Sequence, residues 1–462
     1  MARNPKPAAD PAQPDIPIQP VSKPILCSPY LEPDRHWVYD TQTGDAREEA
    51  GRRPASYWYR TQRTGSTQRS LLAEEERDDL PLVNLLREDV RRWRESNYRN
   101  ATPVTRQLLA HWGRTDRPRR LFFCQREAVE TIIYLNEILA SGHKTGFAPR
   151  LSPQDYHALL AGLRPSFITE SEPRVFPTLS DPQSQIPPNP PFSKGGTERL
   201  ALLRYGCKMA TGSGKTVVMA MLIAWAFCNR GRVPGDERFP NAALAVCPNL
   251  TIYERLQVLR TDRDDNYYRQ FDIVPAPLLP ELLKGRVLIS NWHKFAPASP
   301  HTESGKNYLV VNKGEESPDA FARRVLGELY ERAPIMVLND EAHHAYRPRP
   351  VEETSPLTAE EQAEREEATV WVAGLDRLNA ACGVKFVVDL SATPFYLGGS
   401  GYIEGSPFPW LISDFGLVDA IESGIVKIPR LPVSDTTGKP EPKFFRLWQA
   451  IVSQLQPGEK LP

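Results

Sequence analysis

From about Leu200 onward, short, mainly apolar runs alternate with stretches of helical spacing. The runs are Leu202–Met209, Ala243–Pro248, Arg286–Ser290, Ile335–Asp340 and Val384–Ser391. A strand that is apolar on both sides belongs in a sheet covered on both faces. Such strands, separated by helices, predict an α/β domain with a parallel sheet. One helix is expected after the first run, to about Cys228, and another near Ile252–Leu259. Upstream, Leu82, Leu85, Leu86, Asp89, Val90 and Trp93 fall on one helical face within Leu82–Ser96. Val129, Ile132, Ile133, Leu135, Ile138 and Leu139 do so within Arg126–Ser141. Beyond Thr393 the chain reads as loop-rich, with a short helix at Leu417–Ser423.

The α/β region is expected to span 120–432, interrupted by a Pro-, Ser- and Gly-rich flexible insertion at 173–197 and a charged surface excursion at 347–368. Residues 1–22 carry almost no large apolar side chains and are expected to be disordered. Residues 23–119 form an accessory region, mostly α-helical and irregular, in which Tyr30, His36, Trp37, Tyr39, Tyr57, Trp58 and Tyr59 sit in loop-like surroundings. Arg87, Arg91, Arg92 and Arg94 surround the first helix, and Arg114, Arg117, Arg119 and Arg120 precede the second. These arginines suit either a solvated face or a nucleic-acid contact.

Composition narrows the picture little. The 462 residues carry 57 basic and 57 acidic side chains, so any nucleic-acid contact must rest on a local patch. The six cysteines are far apart and form no CxxC pair, which predicts buried thiols in a reducing compartment and no zinc site. No stretch approaches the length of a membrane helix, so a cytoplasmic protein without membrane contact is expected.

The chemistry is concentrated in three motifs. Ala210-Thr211-Gly212-Ser213-Gly214-Lys215-Thr216 follows a strand and opens a helix, as a phosphate loop requires. Glycines 212 and 214 let the backbone approach phosphate oxygens, Lys215 can reach the β- and γ-phosphates of ATP, and Thr216 can ligate Mg2+. The first glycine of the general GxxxxGK[ST] form would fall at Met209 and is missing. Ile335–Asp340 ends in two carboxylates: Asp340 can hold magnesium and Glu341 can polarise the attacking water. His343 and His344 follow, without the further ligands a zinc site needs. Ser391-Ala392-Thr393 closes the last apolar run. All three motifs end parallel strands, where open α/β sheets bind ligands.

In this order and form the motifs resemble the first RecA-like domain of a superfamily 2 DEAD/DEAH-box helicase, of the kind in the type III restriction enzyme Res subunit. The resemblance covers about Arg120 to Pro432, with a weaker likeness over Ile25–Arg99. It implies an ATP-dependent DNA helicase or translocase of a restriction-modification-like system. Gln125 then matches the glutamine that reads adenine, with Phe122 or Phe123 to stack on the base, although Gln125 suits a helix cap equally well. Thr211 and Ser213 join the phosphate loop, while His343, Ser391 and Thr393 link nucleotide state to nucleic-acid grip. Pro248, Asn249, Ser290, Asn291 and His293 occupy the places that hold the nucleic-acid backbone. The implied partners are DNA, expected to be duplex, a second motor half, and a nuclease or methyltransferase subunit. Residues 433–462 are expected to be a truncated linker towards an absent second RecA-like domain. No PD-(D/E)xK nuclease constellation is present. The competing expectations are a chain that binds ATP and nucleic acid without hydrolysis, and an NTPase that remodels RNA or protein.

Overall fold

The accessory region, helical and irregular for the most part as expected, also holds two short strand pairs. Strands β1 (Arg35–Tyr39) and β2 (Ala46–Ala50) form one antiparallel pair, and β3 (Ser56–Arg60) and β4 (Glu75–Asp79) another. Tyr57 and Tyr59 are buried while Trp58 between them is 52% exposed, the alternation a half-buried strand imposes. Helices α1 (Pro81–Glu95), α2 (Pro103–Gly113), α3 (Phe123–Ile133) and α4 (Pro153–Ala161) follow, and α3 runs on through a π-helical turn at Tyr134–Leu139. Proline stands in the first turn of α1, α2 and α4, where its missing N–H costs nothing, and the Thr102 and Ser152 hydroxyls cap α2 and α4.

Several of the arginines are structural. Arg94 pairs with Glu130, Arg87 donates to the carbonyls of Arg53 and Asp414, and the Arg117 side chain is spent on backbone carbonyls of His111, Phe271 and Asp272. Arg91, Arg114 and Arg119 face solvent.

The remaining elements are β5 (Arg204–Met209), α5 (Lys215–Arg232), β6 (Ala242–Cys247), α6 (Leu250–Leu256), α7 (Tyr267–Gln270), α8 (Leu279–Leu282), β7 (Arg286–Asn291), α9 (Pro318–Leu326), β8 (Ile335–Asp340), α10 (Ala359–Ala381), β9 (Val384–Ser391), β10 (Leu411–Phe415) and α11 (Leu417–Glu422). Six of the strands build one parallel sheet in the order β10-β5-β9-β8-β6-β7. This computed structural model describes residues 23–39, 46–60, 75–141, 147–168, 175–181, 201–296, 316–350 and 357–427. The tail at 1–22, most of the 173–197 insertion and the linker at 433–462 lie outside the described residues.

Alternate residues of each strand feed two cores. Tyr205, Cys207, Ala243, Ala245, Met336, Leu338, Phe386 and Val388 pack under α1, α2, α3 and α5. Ala242, Leu244, Val246, Ile335, Val337 and Val387 pack under α9 and α10. This is why the strands read as mainly apolar runs. Helix α5 lies between the sheet and α2, α3 and α8, and is buried almost all round. Two expectations change. The second part of the charged excursion, from Ala359, is the start of α10, whose Thr358 and Glu361 form a capping box, while residues 351–356 lie outside the described residues. The loop-rich end contributes a sixth strand, β10. Five cysteines are buried, Cys382 is half-buried, and all six are free thiols.

Candidate nucleotide-binding site

The sheet order brings together what the sequence separates. Strands β5, β9 and β8 are adjacent, so the phosphate loop, Ser391 and the Asp340-Glu341 pair emerge side by side at one end of the sheet. The loop turns on Gly212 at φ +86° and Gly214 at φ +91°, a conformation that side chains rarely adopt. A Cβ on Gly214 would also run into the Gln125 amide. Helix α5 then begins with no side-chain cap, leaving its first amides free for an anion. Thr211 and Gly212 are exposed, Lys215 and Thr216 half-buried, and Ser213 is buried with its hydroxyl on the Ala210 carbonyl at 2.6 Å. An uncapped helix start beneath two left-handed glycines fits a nucleotide's phosphate tail.

Lys215 Nζ lies 2.9 Å from Glu341 Oε1, closing the space between the loop and the end of β8. Glu341 sits at φ +50°, a conformation that costs about 1–3 kcal/mol in a residue other than glycine. Asp340 is buried, and burial together with the neighbouring Glu341 charge pushes its carboxyl up to about 6. A divalent cation would supply the counter-charge this carboxylate lacks. His343 Nδ1 is 3.0 Å from Ser391 Oγ, which in turn accepts from the Thr393 amide at 3.1 Å. Burial lowers the His343 imidazole to about 4, so it is neutral when it meets the serine. The three residues expected to couple nucleotide to nucleic acid are thus one hydrogen-bonded chain.

Gln125 takes the cap reading and touches the loop as well. Its Oε1 accepts from the Phe122 amide at 2.9 Å and its Nε2 donates to the Ser213 carbonyl at 2.9 Å. Phe123 cannot stack on a base: it is buried, with the guanidiniums of Arg52, Arg94 and Arg126 around its ring. Phe122 is half-buried beside Tyr30, with ring centroids 5.8 Å apart.

The nucleic-acid candidates gather at the ends of β6 and β7, the two strands beyond β8. Pro248 is half-buried. Asn249 caps α6 by accepting from the Ile252 amide, and Asn291 accepts from the His293 amide. Ser290 is a correction. Both faces of the sheet are covered where β7 ends, so Ile289 and Ser290 are both buried and the Ser290 side chain, 0% exposed, is out of reach of a ligand.

A comparison with known families decides what this arrangement belongs to: residues 199–396 match the model described as type III restriction enzyme, res subunit. This segment is a Res-subunit domain, a RecA-like domain of helicase superfamily 2. No curated protein and no solved structure matches the chain. A Res-subunit domain is helicase-like and ATP-dependent, and it implies contact with nucleic acid. No described helix is long and apolar enough to cross a membrane.

Two features of the Res-subunit domain were invisible in the sequence. Arg204, fully buried at the start of β5, bonds Asp389 at 2.7 Å and Asp181 at 3.0 Å and donates to the Ala345 carbonyl at 2.6 Å. Arg347 joins Asp181 to Asp376, and Asn339 donates to Asp389. This network fixes the chain as it leaves the Asp340-Glu341 pair.

The second feature is Glu367 on α10, which lies 3.8 Å from His344 Nδ1 and has an unsatisfied buried oxygen. Burial, aided by Glu364, raises Glu367 to about 7, and burial lowers His344, so the neutral ring offers no compensation. A carboxyl raised on folding contributes stability that is fully present below its unfolded value and is lost as pH rises through about 7. Glu367→Gln should therefore stabilise the protein at pH 8 by on the order of 1 kcal/mol, a few degrees in Tm, and lose that gain at pH 5. Thermal melts at the two pH values check this; an equal shift at both would rule out the titration.

Proposed function

We propose that this chain is the ATP-driven motor part of a restriction-modification-like system, tracking along or separating the strands of DNA, with duplex DNA as its substrate. The observation that carries this reading is the meeting of Lys215, Glu341, His343 and Ser391 at the ends of three adjacent strands. In it Lys215 and free amides of the loop and helix start, among them those of Gly212, Gly214 and Thr216, bind the phosphates, and Thr216 with Asp340 holds magnesium. That ion, when bound, offsets charge on the phosphate oxygens. Glu341 orients and polarises the attacking water. His343, bonded to Ser391, reports the state of Glu341 towards Thr393, while Pro248, Asn249, Asn291 and His293 face the nucleic acid. A second motor half and a nuclease or methyltransferase subunit are the proposed protein partners.

The test is ATP hydrolysis by the purified chain with duplex DNA, single-stranded RNA or no polymer. Turnover stimulated by duplex DNA, and reduced about a hundredfold or more in Lys215→Ala, is the expected result. Stimulation by RNA alone would replace the substrate, and turnover unchanged in Lys215→Ala would remove the site.

A further inference from the structure

The end of the sheet proposed to face nucleic acid offers more than charge to a bound strand. Its polar side chains are already committed. Asn249 Oδ1 accepts from the Ile252 amide, Asn291 Oδ1 accepts from the His293 amide and also meets the His293 ring, and Ser290 is buried. Beside the cations Lys294 and Arg255, large apolar or aromatic groups remain towards solvent. Leu250 is 73% exposed, His293 is exposed and Trp292 half-exposed.

These groups belong together. The last residues of β6 and β7, Cys247 and Asn291, are register partners, so the chain segments leaving them start about one strand spacing, ~4.8 Å, apart. The Trp292 and His293 rings lie stacked, with centroids 3.8 Å apart and planes 25° from parallel. The pair is held on both sides. Asn291 holds the histidine, and the indole packs on the core under α9 and α10. A platform already fixed loses little freedom when it binds a planar ligand. Lys294 and Arg255, both exposed near the same strand ends, add positive charge suited to a backbone running past.

We propose that the Trp292–His293 pair, flanked by Leu250, stacks against an unpaired nucleobase, so that the bound strand turns at least one base towards this domain. Flat aromatic faces beside cations are the surface on which single strands stack, and every base can use it. The inference rests on the nucleic-acid reading above and adds Trp292 and Leu250 to the residues that serve it.

The experiment measures binding of the full chain to a labelled single-stranded DNA oligonucleotide in which one abasic unit is moved along the strand. At one position the missing base should weaken wild-type binding about five- to a hundredfold. His293→Ala and Trp292→Ala should lose a similar factor on the intact strand and lose little more on the abasic one, and Trp292→Phe should recover most of the loss. His293 is exposed, so its substitution reports on stacking even if Trp292→Ala fails to fold. Wild-type binding that ignores base removal at every position, or losses from His293→Ala and the abasic unit that simply multiply, would overturn the stacking while leaving nucleic-acid binding in place. A wild-type chain that binds duplex DNA but no single-stranded oligonucleotide would overturn the stacking alone, and one that binds neither would overturn the nucleic-acid reading with it.

Discussion

Replacing Glu341 with Gln is expected to slow ATP turnover by about two to four orders of magnitude while tightening nucleotide binding about fivefold. The first effect follows from removing the carboxylate that polarises water next to the γ-phosphate. The second follows from the 2.9 Å ion pair between Glu341 and Lys215, whose side chains are 28% and 12% exposed. A phosphate must compete with Glu341 for the lysine. A partly exposed pair of this kind contributes about 1 kcal/mol, and a neutral amide relinquishes most of it. Single-turnover hydrolysis and titration with a fluorescent ATP analogue separate the two effects. Turnover within a few fold of wild type would move the catalytic role away from Glu341. Weaker nucleotide binding would mean that the ion pair positions Lys215 and does not compete with the phosphate.

Arg204→Met should cost about 3–5 kcal/mol of folding stability, the loss seen when one partner of a buried ion pair is removed. Arg204, Asp181 and Asp389 are all at most 1% exposed, so the substitution leaves two carboxylates without the guanidinium they share. Arg347 still reaches Asp181 and Asn339 still reaches Asp389, which keeps the cost from rising further. The Ala345 carbonyl also loses its donor. Chemical denaturation measures the loss, and a change below 1 kcal/mol would indicate that the carboxyls are protonated in the folded protein. Adding Asp389→Asn to Arg204→Met should recover part of the loss, because one stranded charge disappears.

The sequence displayed the sheet and the phosphate chemistry because both are written locally. Five of the six central strands stand out as mainly apolar runs, and the motifs are contiguous. Strand β10 escaped notice because Ser413 and Asp414 interrupt its pattern; Asp414 is needed there to pair with Lys208 on β5, 2.9 Å away. The strands β2 and β4, AREEA and EERDD, are almost wholly charged and carry no apolar alternation to reveal them. Ser290 was misplaced because both faces of the sheet are covered at the end of β7, which the spacing along one strand does not record. The Arg204 network joins residues 23 and 185 positions apart, and no local pattern records such a pairing. Of the two roles offered for Gln125 the fold displays the helix cap, while the other end of its amide donates to the Ser213 carbonyl, a contact that the sequence does not announce.

The sheet order sets what lies between fuel and track. Strand β8, which ends in Asp340, is hydrogen-bonded along its length to β6, which leads into Pro248, and every residue of both strands is buried. A push arising beside the phosphates would therefore meet a stiff plank one ladder wide before it reached the strand ends proposed to face the nucleic acid. Compliance in this machine has to sit in the segments that leave the sheet, while the sheet acts as the lever arm.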